Sequence, residues 1–288
     1  MLKELISSGV LILSEVYPEI EAREIVFALL EDLLGTRRHT HVVNPSFMVS
    51  DKDSEKIKAA FMRLSSGEPL QYVTEKACFY GREFKVSPSV LIPRPETELL
   101  CRMAIEESMS RKDVRVLDMC TGSGCIAWTM ALECPGAEVI GIDISDGALM
   151  VAEAQDFSEE TSMTGALKPR FLKADVLAQP LTSMGKFDII LSNPPYVMES
   201  EKALMRRNVL DHEPHLALFV SDEDPLLFYR AVAKWALLML KPGGYGMVEI
   251  NEALASGTEK IFRDTGFRDI STIRDLYDRD RFVTFRYL

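Results

Sequence analysis

At 288 residues, 47% of them hydrophobic, the chain is long enough to fill one large core or two ordinary ones. Its net charge of −11 opposes non-specific attraction to a phosphate backbone, because such binding draws its affinity from lysines and arginines that displace counterions. A protein or small-molecule partner is therefore favoured over direct contact with nucleic acid. No apolar run approaches the roughly 20 residues of a membrane span, and the opening stretch MLKELISSGVLILSEVYPEIEAREI mixes charge with apolar residues where a signal peptide would have its core; a cytoplasmic protein with no membrane contact is expected. The five cysteines (Cys78, Cys101, Cys120, Cys125, Cys134) are odd in number and form no C-x-x-C pair, which argues against a disulfide framework or a structural zinc site.

From Leu2 to Leu64 the apolar residues recur at helical spacing, as in Ile20, Ile25, Ala28, Leu29 and later Ile57, Ala60, Phe61, Leu64. Breakers at Tyr17-Pro18, Leu34-Gly35 and Asn44-Pro45 divide the region, and Ser65-Ser66-Gly67-Glu68-Pro69 closes it. A small helical domain is predicted over residues 1–71. Over residues 72–93, Phe79, Tyr80, Phe84, Val86, Val90 and Ile92 are spaced for a β-hairpin linker.

Residues 94–288 form the third part. From Val114 onward short apolar runs alternate with helical patterns: RVLDMC, GCIAWTMAL, AEVIGIDIS, a helix over about 147–157, RFLKADV and FDIILS. That alternation predicts a parallel, doubly wound α/β sheet. A helix over 225–240 ends at Lys241-Pro242-Gly243-Gly244 before the strand YGMVEI, and another is expected near 254–264. The runs FRDISTI and RFVTFRYL, joined by a polar stretch over 274–281, predict an antiparallel pair closing one edge of the sheet.

The first of these strands runs into Cys120-Thr121-Gly122-Ser123-Gly124, and glycines at such a junction let backbone approach a ligand at a helix N-terminus. The second ends in Gly141-Ile142-Asp143, where a carboxylate can accept hydrogen bonds from both hydroxyls of a ribose. Because Gly122-x-Gly124-x-x-Ala127 with an acid about 20 residues further on also satisfies the dinucleotide fingerprint, this loop alone leaves a nicotinamide cofactor and S-adenosylmethionine both open.

The fourth run continues as Asn193-Pro194-Pro195-Tyr196. The two prolines have no N–H to give to a sheet, so the strand stops there and the loop is stiff; Asn193 is held extended by the proline after it. Such a loop positions a flat polar group. An amide nitrogen is a poor nucleophile because its lone pair is delocalised into the carbonyl, so holding it in place is most of the work. The Asn193 side-chain carbonyl and the Pro194 backbone carbonyl can each accept one of its N–H groups, and Tyr196 can stack on its plane. His212-x-x-His215 lacks a convincing third ligand, and no metal is expected.

A loop of this composition after the fourth strand resembles that of the amino-methyltransferases, which use it to hold a planar NH2 group before a methylsulfonium. Together with Leu91-Ile92-Pro93-Arg94-Pro95-Glu96-Thr97-Glu98, Gly67-Glu68-Pro69-Leu70-Gln71-Tyr72, Glu213-Pro214 and YGMVEI, the chain is similar over nearly its whole length to the protein-(glutamine-N5) methyltransferases of peptide chain release factors, the PrmC or HemK family. The resemblance implies a Rossmann-like methyltransferase domain over 94–288, with a mostly parallel doubly wound sheet, behind a helical-bundle domain that recognises substrate. It implies S-adenosylmethionine as cofactor, bound by Cys120, Thr121, Gly122, Ser123, Gly124, Asp143, Asp175, Val176 and Asn193, with Asp175 near the adenine amine. It implies a release-factor glutamine bound by Asn193, Pro194, Pro195 and Tyr196, of which Asn193, Pro194 and Tyr196 carry the chemistry. Two positions depart from the family: Cys120 replaces a usual glycine, and Val176 stands where some members have an aromatic residue. The expected protein is a cytoplasmic, monomeric enzyme. The alternatives are methylation of another protein glutamine or of an exocyclic amine of a nucleic-acid base, a nicotinamide oxidoreductase, and a non-catalytic binding module.

Overall fold

Proline and glycine set the limits of the first helices. In the computed structural model, which describes residues 1–288, α1 (Leu2–Leu13) is followed by α2 (Glu19–Leu34), which starts directly after Pro18 and stops at Gly35 in the left-handed conformation. After α3 (Thr40–Val43), the Ser50 side chain accepts the Asp53 N–H and caps α4 (Asp51–Ser65); Pro69 then precedes α5 (Leu70–Thr74). Leu5, Leu13, Val26, Leu29, Ile57, Phe61 and Leu64 make one buried cluster. These helices belong to the first of two compact units, Met1–Lys76 with Arg206–His212; the second is Ala77–Met205 with Glu213–Leu288.

A short hairpin of β1 (Lys76–Phe79) and β2 (Arg82–Lys85) turns through Tyr80 and Gly81, both at positive φ. It is shorter than the sequence pattern indicates, because residues 70–74 are taken by α5. Then come α6 (Thr97–Ser108), β3 (Arg115–Met119), α7 (Cys125–Glu133), β4 (Glu138–Asp143), α8 (Asp146–Glu153), α9 (Ser158–Thr164), β5 (Arg170–Lys173) and β6 (Phe187–Ser192). The chain continues through β7 (Val197–Met198), α10 (Arg207–His212), α11 (His215–Leu218) and β8 (Phe219–Val220). It ends with α12 (Leu227–Met239), β9 (Leu240–Glu249), α13 (Ala255–Thr265), β10 (Arg268–Arg274) and β11 (Asp280–Tyr287).

The main sheet has seven strands in the order β10-β11-β9-β6-β3-β4-β5. Pairings from β5 to β9 are parallel, and β11 runs antiparallel to both β9 and β10, as the sequence predicts for the edge pair. Successive residues face opposite layers. Val116, Val139, Ile189 and Met247 join one buried cluster with Trp128 and Leu100, whereas Leu117, Ile140, Ile190 and Val248 join the other with Trp235, Phe262 and Phe285. Both faces are covered by helices, which is why these strands read as continuous apolar runs.

Further elements differ from the sequence reading: the helix expected over about 147–157 ends at Glu153. The strand YGMVEI extends back to Leu240, and its pairing with β6 jumps from Leu240 to Tyr245, so Lys241-Pro242-Gly243-Gly244 is absorbed as an irregularity within the strand. Helix α6, which the sequence reading does not assign, buries Leu100, Cys101, Ala104, Ile105 and Ser108 at helical spacing.

The edge pair is locked by aromatic packing: the Phe285 ring stacks on Phe262 with centroids 3.9 Å apart and meets Phe267 edge-on at 4.8 Å. Phe285→Ala should cost about 3–5 kcal/mol of folding free energy. Urea denaturation measures it, and a loss under about 1 kcal/mol would mean that the cluster repacks around the gap.

Candidate active site

Met119 of β3 pairs with Ile142 of β4 and with Ser192 of β6, so three parallel strands finish at one edge and the loops after them leave side by side. Between these loops lies a cavity of about 190 Å³. Nine of the residues singled out from the sequence line it: Cys120, Thr121, Gly122, Ser123, Asp143, Asp175, Val176, Asn193 and Pro195. Gly124, Pro194 and Tyr196 do not line it.

The first loop is built on backbone that L-residues seldom adopt. Cys120 has φ 62, Gly122 φ 55 and Gly124 φ 79. A cysteine thus takes the left-handed conformation where glycine would be free of strain, at a cost of roughly 1–2 kcal/mol. Its partly buried side chain packs on the second core cluster, and burial pushes the thiol pKa up. A Cβ on Gly122 would meet nothing within 4 Å, so its backbone is bare towards open space. Gly124 has a different duty: it is the N-cap of α7, and a Cβ there would stand 3.0 Å from Ala152 and Phe171.

Asp143 ties this loop to the end of β4. Its Oδ2 accepts the Gly122 N–H at 2.9 Å and its Oδ1 the Ser145 N–H at 2.9 Å. Burial raises its pKa, and the backbone N–H groups of Ser145 and Gly122 pull it back. A carboxylate has about four acceptor positions, so Asp143 retains capacity for a further donor. Asp175 accepts the Leu177 N–H at 2.8 Å, and the Val176 carbonyl accepts the Trp235 indole N–H at 2.9 Å.

The third loop is anchored from β9 and from the start of α6. The Asn193 amide lies 3.3 Å from Thr97 Oγ1, the Thr97 hydroxyl donates to Glu249 Oε2 at 2.7 Å, and the Tyr196 hydroxyl donates to Glu249 Oε1 at 2.9 Å. Tyr196, expected to stack on a substrate amide, is packed against the second core cluster, with its phenol pKa pushed up by burial and by the Glu249 charge. Asn251 Nδ2 donates to the Tyr196 carbonyl at 3.3 Å. The remaining wall comes from two segments held by buried Glu213, which accepts from the Ile92 N–H at 3.1 Å and from Arg94 at 2.6 Å; Pro93, Arg94, Pro214, Leu216 and Ala217 all face the cavity. Thr97, Glu213 and Glu249 each sit in a segment that carries the family resemblance, and the fold brings all three onto these loops. His212 and His215 fall in different units.

Residues 4–74 match the PrmC N-terminal domain, and residues 96–217 match the methyltransferase small domain. A release factor glutamine methyltransferase of Bacteroides thetaiotaomicron is 38% identical, over 94% of this chain and 95% of its own. That of Flavobacterium psychrophilum is 35% identical, over 96% of this chain and 95% of its own. The chain belongs to the release factor glutamine methyltransferase family. The hMettl16 catalytic domain, 13% identical, superposes with a TM-score of 0.55 over 83% of this chain and 82% of that one, and shares the fold. No helix of this family member is long and apolar enough to cross a membrane.

Beneath the first loop of this methyltransferase sits one further carboxylate. Asp118 is fully buried; its Oδ2 accepts from the Thr121 hydroxyl at 2.5 Å and the Ala127 N–H at 3.2 Å, while Oδ1 has no partner. Burial pushes its pKa up to about 7, against the pull of those two bonds. Between the ordinary aspartate value and pH 7 the folded chain therefore holds more protons at this site than the unfolded one, and stability falls as pH rises through that window. Asp118→Asn keeps an acceptor for Thr121 but has no such slope. Its stability relative to the parent should improve from pH 5 to pH 8, measured by urea denaturation at each pH; a difference that does not change with pH would show Asp118 to be ionised throughout.

Proposed function

We propose that this chain transfers the methyl group of S-adenosylmethionine to the side-chain amide nitrogen (N5) of the glutamine in the Gly-Gly-Gln loop of a peptide chain release factor. The observation that carries this reading is that Asn193 and Pro195 line the same cavity as the glycine loop, Asp143 and Asp175, in a chain whose relatives bear that name. The lining fits the cofactor. Gly122 offers bare backbone, Asp143 keeps acceptor capacity for the ribose hydroxyls, Asp175 offers a carboxylate to the adenine amine, and Val176 and Leu177 supply an apolar edge. When bound, S-adenosylmethionine supplies an electrophilic methyl carbon on a sulfonium.

The chain's own contribution is orientation and charge. Asn193 Oδ1 and the Pro194 carbonyl accept the two N–H groups of the substrate amide, which aims the nitrogen and opposes the positive charge that grows on it. The methylated nitrogen is strongly acidic, so its surplus proton passes to solvent without a dedicated base. Pro195 covers one face of the amide, and Tyr196 holds the loop through its hydroxyl. The helical domain over residues 1–71 serves as a second contact for the release factor. The enzyme works as a cytoplasmic monomer that does not bind nucleic acid directly, in keeping with its net charge of −11.

Incubation with S-adenosylmethionine and a release factor should place one methyl on the glutamine of that loop, detected by peptide mass spectrometry. A methyl on a nucleic-acid base, or on another protein's glutamine in preference, would overturn the substrate. Asn193→Ala should lose most of kcat, because its bonds strengthen as charge develops, with little change in affinity for S-adenosylhomocysteine. Asp143→Ala should weaken that affinity by about 1–3 kcal/mol, as measured by calorimetry; unchanged binding by the folded variant would remove Asp143 from the cofactor site.

A further inference from the structure

An asparagine side chain has two ends of nearly equal shape and opposite hydrogen-bonding sense. A loop that orients a substrate through the Asn193 carbonyl therefore needs something that forbids the flipped amide. Proline on the C-terminal side restrains the backbone and leaves this choice open.

The answer lies two bonds away, on β9. Glu249 is 1% exposed, and its ionised carboxylate can only accept. It meets two hydroxyls, Thr97 at 2.7 Å and Tyr196 at 2.9 Å, each of which must point its single hydrogen at it. Thr97, 2% exposed, is then left with lone pairs alone for its other neighbour, Asn193, 3.3 Å away. Only the Nδ2 end of Asn193 can satisfy them. A flipped amide would set the Asn193 carbonyl against the Thr97 lone pairs with no hydrogen between them. With Nδ2 committed to Thr97, Oδ1 is the end that remains to accept from a ligand in the cavity.

We propose that Glu249 and Thr97 are positioning residues, which fix the hydrogen-bond direction Thr97 to Glu249 and thereby present the carbonyl end of Asn193 to the substrate amide. The pair recognises a donor: a primary amide or amine with hydrogen to give is accepted, and an acceptor group in the same place is refused. The same carboxylate holds Tyr196, so one buried charge sets both ends of the four-residue loop. Burial, with the Glu96 charge, pushes the Glu249 pKa up, and the Thr97 and Tyr196 hydroxyls and the Arg281 charge pull it back. This inference rests on the reading of Asn193 as the acceptor of the substrate's N–H.

Thr97→Val and Thr97→Ser separate hydrogen-bond direction from packing. Valine keeps the shape but has no acceptor for Asn193 and no donor for Glu249, whereas serine keeps both. Thr97→Val should lower kcat on a release factor by about tenfold or more, with KM and the affinity for S-adenosylhomocysteine within about threefold of the parent, and Thr97→Ser should stay near the parent. In the parent, one Asn193 Nδ2 proton, assigned by its disappearance in Asn193→Asp, should exchange with solvent more slowly than that of an exposed asparagine. Slow exchange should persist in Thr97→Ser and be lost in Thr97→Val. A parent-like kcat in Thr97→Val, equal losses in both variants, or free exchange of both Nδ2 protons in the parent would overturn the proposal. The exchange measurement in the parent needs no turnover and no Thr97 variant. If the parent fails to methylate a release factor, the proposed function falls while exchange still decides the pair.

Discussion

The parallel register of β3 with β4 and β6 is the constraint on which the site depends. Met119 lies opposite both Ile142 and Ser192, so the three strands end level, and whatever follows them is delivered to one edge. Crossovers through α7 and α8 lay both helices on one face and leave that edge open. Residues more than 70 positions apart in the chain, such as Cys120 and Asn193, thereby line one cavity. The direct stitch of the Ser192 hydroxyl to the Met119 carbonyl at 2.8 Å holds two of the exits together.

Loops that leave a sheet edge are not rigid by default, and here buried or partly buried carboxylates hold them. Asp143 fastens the glycine loop, Glu213 fastens the Leu91–Arg94 segment to the wall that follows Pro214, and Glu249 fastens the Asn-Pro-Pro-Tyr loop to α6. Burying a charge is costly unless hydrogen bonds replace the lost water. Each of these three has its bonds from backbone N–H, hydroxyl or guanidinium donors, so removing a donor leaves a buried acceptor unsatisfied and the arrangement resists change. Asp118 is the exception: one of its oxygens has no partner, and burial pushes its pKa up to about 7. A site held in this way needs little reorganisation when a methyl acceptor enters, which is where a reaction limited by orientation gains most.

The sequence by itself determined the alternation of strands and helices, because apolar runs buried on both faces and glycine or proline at their ends have few other ways to fold. It placed β6 at Phe187–Ser192 to the residue, since the two prolines after Asn193 cannot extend a ladder. It also marked Asp143 and Asn193, as polar residues at strand ends have no role in the core. Other features were decided only by the tertiary structure. The extent of β9 depended on its neighbour, because the Lys241–Gly244 stretch reads as a turn until β6 pairs across the irregularity. The left-handed φ of Cys120 was fixed by the packing of its loop against local propensity. Glu249, which reads as a polar residue near the end of the strand YGMVEI, became a buried anchor only when Thr97, 152 positions away in the chain, and Tyr196 came to rest on either oxygen. Hydrogen-bond direction is a property of the assembled network; a sequence names the donors and acceptors, but only the fold decides which of them meet.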